Sequence, residues 1–147
     1  MRLAIALLLL AAPTVAAAQF VVALDAEARA GLARQSVDTK VHDTALRCEG
    51  VALVDLLRKQ GAMPDKPLHG TDLARVVIVE GSDGYRAAFS LGELDPTLGG
   101  RKVYLVDRCN DAALDANDGP LRLLVPDDSR AARRVRQVES LYVDDAP

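Results

Sequence analysis

The chain has 147 residues, a formal net charge of −3 and two cysteines. That length suits one ordinary domain able to bury a core without metal or disulfide support. The mildly acidic balance gives no general attraction to nucleic acid or anionic membrane, and the low aromatic content (3 %, no Trp) argues against base-stacking or sugar-stacking platforms.

The N-terminus carries a secretory pattern. Arg2 supplies a positive charge, residues 3–10 are uninterruptedly apolar, and Ala16-Ala17-Ala18 offers the small residues a signal peptidase reads. The apolar run is shorter than a membrane span requires. The expectation is a signal peptide over residues 1–18, a single mature domain over 19–147, and a periplasmic location. No Cys follows the apolar run, so no lipid anchor is expected to remain after cleavage.

Residues 20–24 read as a short opening strand. Asp25 is a candidate N-cap for a helix over 26–33. Val37, Thr39 and Val41 alternate with polar neighbours and predict a half-buried strand. Cys48-Glu49-Gly50-Val51 is read as the lead into a second helix, with Leu53, Leu56, Leu57 and Gln60 at helical spacing and Gly61 as its stop. Residues 75–80 form an apolar, β-branched run that predicts a central strand covered on both faces. Gly81-Ser82-Asp83-Gly84 is turn chemistry, with 85–89 returning as a hairpin partner and Tyr85 packed against the domain. Ser90 is a candidate cap for a helical turn over 91–94. Strands are expected at 102–106, 121–125 and 137–143. A polar connection fills 110–119, and the most charged stretch, 127–136, precedes the last strand. Dominant strands with two or three short helices read as an α+β or mostly-β domain, with α+β the expectation.

Four segments resemble, in order, the molybdopterin-binding domain of the sulfite-oxidase family of oxidoreductases. They are Cys48-Glu49-Gly50-Val51-Ala52-Leu53-Val54-Asp55-Leu56-Leu57; Ser82-Asp83-Gly84-Tyr85-Arg86 with Phe89-Ser90-Leu91-Gly92-Glu93-Leu94; Val103-Tyr104-Leu105-Val106 with Asp118-Gly119-Pro120-Leu121-Arg122-Leu123-Leu124-Val125-Pro126; and Ala132-Arg133-Arg134-Val135-Arg136-Gln137-Val138. The likeness is closest to the small, stand-alone periplasmic members. It implies the family's mixed-sheet fold, an oxidoreductase-like protein, and molybdopterin or a related anionic ligand as cofactor.

In the family, basic side chains near the third and fourth segments contact the cofactor's phosphate and pterin. The resemblance therefore implies cofactor-binding roles for Arg122, Arg133, Arg134 and Arg136, within a cluster that also holds Arg130. Arg suits such a site because its planar fork binds phosphate in two places. A solvated charged loop partly neutralised by Asp127 and Asp128 is the competing reading. Asp127 also stands where the family has Gly, and a carboxylate there opposes phosphate. The family's metal-ligating cysteine has no counterpart ahead of Gly50-Val51, so no metal ligand and no catalytic residue is assigned.

His42 beside Asp43 is either a ligand at the mouth of a pocket or a strand-end His beside a turn. Cys48 and Cys109 are either a disulfide or two buried thiols, which sequence cannot decide. No Gly-x-Ser-x-Gly and no phosphate-cradling Gly loop is present. Two functions follow: an oxidoreductase-like binder of a pterin or other anion, or a cofactor-free accessory module whose arginines meet a periplasmic protein partner.

Overall fold

The core is assembled from two antiparallel sheets and the short helices that bridge them. The computed structural model describes residues 19–41 and 43–145. The expected signal segment, residues 1–18, and His42 lie outside the described residues.

The first sheet has the order β1 (Phe20–Val21), β9 (Val138–Asp145), β4 (Arg75–Gly81), β5 (Arg86–Ser90). The second sheet has the order β2 (Arg34–Val41), β3 (Thr44–Ala52), β6 (Tyr104–Cys109). On the far side of β6, the short strands β7 (Ala112–Ala113) and β8 (Arg122–Leu124) pair with its two halves. Helices α1 (Ala26–Arg29), α2 (Leu53–Lys59) and α3 (Leu91–Leu94), with 3-10 turns at Gly70–Ala74 and Ala131–Arg133, complete an α+β domain.

Most expected elements form, but several differ in extent. Helix α1 starts at the Asp25 cap, whose carboxylate accepts from the Ala28 N–H at 2.8 Å. It stops after one turn rather than reaching residue 33, because Gly31 takes a left-handed φ of 76° and Arg34 opens β2. The stretch Cys48-Glu49-Gly50-Val51 does not lead into a helix. It is the second half of β3, and α2 begins only at Leu53. Pairing with strands on both sides outweighs helix propensity there: Cys48 faces Val37 on β2 and Cys109 on β6.

Strand β4 sits between β5 and β9 as expected of a central strand, yet only one face is fully buried. Val77, Val79 and Gly81 alternate with half-buried neighbours, so the strand has a core face and a thinner outer face. Ser90 caps α3 by accepting from the Glu93 N–H at 2.9 Å. Tyr85 does not pack inward. It is half exposed, and its hydroxyl donates to the Ala132 carbonyl.

The main core gathers Leu53, Leu56 and Leu57 from α2, Phe89 from β5, Leu91 from α3, and Leu105, Leu123 and Leu141 from three further strands. Each large side chain removed from water in this way stabilises the fold by about 1.5–3 kcal/mol before entropy is counted. A smaller cluster of Val37, Cys48, Val106 and Leu124 is joined by the partly buried Leu46, Tyr104, Cys109 and Leu114. Adjacent residues Leu105 and Val106, and likewise Leu123 and Leu124, divide between the two clusters. The period-two geometry of a strand explains this: the second sheet is a partition with an apolar cluster on each side.

Gly50 lies where the β3–β6 register shifts. A Cβ there would fall on the Leu105 carbonyl and the Val106 Cα, so the two backbones approach this closely only with glycine. Two residues earlier, Cys48 and Cys109 are register partners and are joined in a disulfide.

Candidate functional site

The charged connection between β8 and β9 lies against the end of the β2–β3 hairpin. Pairing with β6 fixes Arg122 at the start of β8. Arg134 and Arg136 flank Val135, whose side chain is fully buried in the main core and whose carbonyl accepts from the Leu123 N–H at 2.8 Å. One apolar anchor thus aims the basic residues on both sides of it. Lys40 comes from β2, far away in sequence.

These four cations surround a cavity of about 650 Å³, with Asn117 and Asp118 completing its polar wall. That volume falls within the usual range for small-ligand sites, about 300–1,000 Å³. Arg122 is only 8 % exposed. Its Nη1 donates to the Asp118 carboxylate at 2.7 Å, but its buried Nε has no partner. The Arg134 Nη1 donates to the Lys40 carbonyl at 2.6 Å, and its buried Nε is also unpaired. Burial, reinforced by the neighbouring Arg122 charge, pulls the Arg134 guanidinium below its ordinary pKa, and Asp128 only partly opposes this. Arg134 nevertheless stays charged near neutral pH, because the guanidinium is not deprotonated in proteins. The cavity therefore holds positive charge whose desolvation is incompletely offset.

Of the residues the sequence pointed to, Arg122, Arg134 and Arg136 line this cavity together. Arg133 does not. Its Nε and Nη2 donate to Asp128 at 2.8 and 2.7 Å, its Nη1 donates to Glu93 at 2.9 Å, and the guanidinium stands 4.7 Å from the centre of the Phe89 ring. Arg133 ties the connection to α3 and β5, and its carboxylate partners satisfy its charge. In turn Arg133 holds the Asp128 carboxyl below its usual range. Arg130 and Asp127 are exposed.

Lys40, Asn117 and Asp118 were not singled out as site residues. Lys40 occupies a polar position of an alternating strand, which locally signals solvent exposure and nothing more. Asp118 falls in the turn before β8, and its place four residues ahead of Arg122 was the available hint. Cys48 and Cys109 are both consumed in the disulfide. Among the described residues no cluster of His, Cys, Asp and Glu is placed to hold a metal ion.

The residues fit one end of a molybdopterin-type group and not the other. Lys40, Arg122, Arg134 and Arg136 offer what a phosphate requires, including two orphaned guanidinium Nε groups. The metal end asks for a soft thiolate, and the disulfide leaves neither cysteine to supply one.

No model of a known protein family matches the chain, and no curated protein matches it. No helix among the described residues is long and apolar enough to cross a membrane.

Proposed function

We propose that the chain is an exported, oxidoreductase-like domain of the sulfite-oxidase type that binds a pterin or another anionic ligand through phosphate in the basic cleft. The observation that carries the reading is the convergence of Lys40, Arg122, Arg134 and Arg136 on one cavity that holds a single carboxylate, Asp118. The order of the four family-like segments adds to it, as does the α+β architecture with antiparallel sheets. Export rests on residues 1–18 of the sequence.

The roles of the residues follow from their surroundings. Arg122, buried and held by Asp118, presents a fixed charge at the floor. Arg134 is fixed by the Lys40 carbonyl and directs positive charge into the same space. Arg136 is exposed, and Lys40 adds a fourth cation from β2. Charge-assisted bonds from such donors are about twice as strong as neutral ones. When bound, a molybdopterin would supply redox chemistry at its metal. No step of that chemistry is assigned to this chain, because both of its thiols are joined.

That same disulfide favours a second reading, a cofactor-free accessory module whose basic cleft meets an acidic periplasmic partner. One experiment separates the two. The full chain is expressed in a host that makes molybdopterin, and the purified product is assayed for metal by mass spectrometry and for oxidised pterin by fluorescence. Phosphate binding is measured by calorimetry on the wild type and on Arg122→Ala and Arg136→Ala. The ligand reading predicts pterin or phosphate binding that falls at least tenfold in the variants. Folded protein that binds neither pterin nor phosphate sinks it and leaves the partner reading.

A further inference from the structure

The basic cleft is not isolated. Lys40 and Arg134 also line a second cavity of about 580 Å³, whose other walls include Thr39, Ala45, Leu46 and Pro126. The two cavities therefore adjoin, with these two side chains between them.

They differ in character. In the second cavity Ala45, Leu46 and Pro126 present apolar surface, and Leu46 continues into the small cluster beside the disulfide. At its edge Asp38 and Arg47 pair at 3.0 Å and cancel one another. Beyond the shared wall it thus carries no uncompensated charge. In the first cavity four cations face one carboxylate.

The unsatisfied groups fall in the same place. Among the described residues, the buried side-chain polar atoms without a hydrogen-bond partner are the Thr39 hydroxyl and the Nε atoms of Arg122 and Arg134. Thr39 lines the apolar cavity, Arg122 lines the basic one, and Arg134 lines both. Elsewhere a buried polar group is well provided for: the Asp95 carboxylate accepts from Leu68, from the Thr97 backbone and from the Thr97 hydroxyl. Native proteins satisfy nearly all such groups, so a concentration of orphans in adjoining cavities marks where a ligand belongs.

We infer that the ligand is bipartite, an organic phosphate monoester whose doubly charged head fills the basic cavity and whose neutral, largely apolar body fills its neighbour. This rests on the anion-binding reading above and adds the chemistry of the rest of the ligand. A dianion suits the basic side better than a singly charged carboxylate, because the four cations outnumber the carboxylate by three. A neutral ring or short aliphatic body suits the other side, where a second charge would be desolvated against Leu46 and Pro126 without a partner.

Calorimetry on the folded full domain tests this with inorganic phosphate, phenyl phosphate and phenol as probes. Phenyl phosphate should bind about tenfold more tightly than inorganic phosphate, the increment expected from burying part of a ring. Phenol should bind far more weakly than either. Ala45→Trp places bulk in the apolar cavity from an exposed strand position. It should erase the phenyl preference while inorganic phosphate still binds, and that retained binding reports that the variant is folded. Equal affinity for the two phosphates, or a preference that survives Ala45→Trp, overturns the bipartite ligand and leaves the anion site standing. Absence of binding by any phosphate overturns both readings.

Discussion

Removing the Cys48–Cys109 bridge should destabilise the domain by about 4 kcal/mol. The cysteines stand 61 residues apart in sequence, and in the chain-entropy form a cross-link over a loop of that length restricts the unfolded chain by about 4 kcal/mol at 25 °C. This is a large share of the roughly 5–15 kcal/mol that a typical domain has in total. The perturbation is best made in two ways. Cys48→Ala with Cys109→Ala removes the bridge permanently, and reduction of the wild-type protein removes it while keeping both sulfur atoms. Cys48 is only 1 % exposed and packs against Val37, Val106 and Leu124. The alanine pair should therefore lose slightly more than the reduced protein, the difference reflecting the small void. Urea unfolding followed by circular dichroism reads the change. With an m-value of about 2 kcal/mol/M, the midpoint falls by about 2 M. A loss below about 1 kcal/mol in both forms would refute the reasoning, as would two thiols titrating in the non-reduced, denatured wild type.

Two further outcomes follow from the polar contacts. Arg133→Ala removes the paired bonds to Asp128, the bond to Glu93 and the stacking on Phe89; thermal unfolding should register a loss of about 1–2 kcal/mol, discounted for partial exposure, while phosphate affinity changes less than twofold. A tenfold loss of phosphate affinity in that variant would instead return Arg133 to the binding site. The pH dependence is set by carboxylates held below their ordinary range: Asp95 by the N–H groups of Thr97 and Leu68, Asp107 chiefly by Arg34 and then Arg29, and Asp128 by Arg133. A depressed folded value adds stability that is present above the unfolded carboxylate pKa, about 4, and is lost as the pH falls through the folded value. Melts should be flat from pH 7 to about 5 and then fall steeply, and Asp95→Asn should shallow that acid limb; parallel limbs for variant and wild type would contradict the assignment.

The elements that were legible in sequence are those whose signals are local. The Asp25 and Ser90 caps, the leucine spacing of α2 and the β-branched run of β4 all act within a few residues of their effect. None of β3 (Thr44–Ala52) was legible as strand, although Leu46 and Cys48 alternate with Arg47 and Glu49, because the Gly50-Val51 pair next to the leucines of α2 drew the helical reading forward. At the site, Arg122, Arg134 and Arg136 were visible through motif likeness. What sequence could not convey is which arginine is satisfied elsewhere. Arg133 is held by Glu93, 40 residues away, and nothing in its own neighbourhood tells it apart from Arg134. Lys40 enters the cleft only because the β2–β3 hairpin folds against a connection more than 80 residues later, a juxtaposition that no spacing rule contains.

The two walls of the cleft are held in different ways. One wall belongs to β2 and β3, hydrogen-bonded along their length and covalently tied to β6. The other, between the buried Val125 and Val135, is kept in place largely by polar ties: Arg133 to Asp128 and Glu93, Arg101 to Glu93 and Asp128, Tyr85 to the Ala132 carbonyl, and Arg134 to the Lys40 carbonyl. Ions in solution weaken partly exposed charge pairs and leave apolar contacts and covalent bonds largely intact. Rising ionic strength is thus expected to loosen one side of the opening more than the other. Salt thus has two separable actions on any anion that binds there: it screens the attraction, and it slackens the wall that carries Arg134.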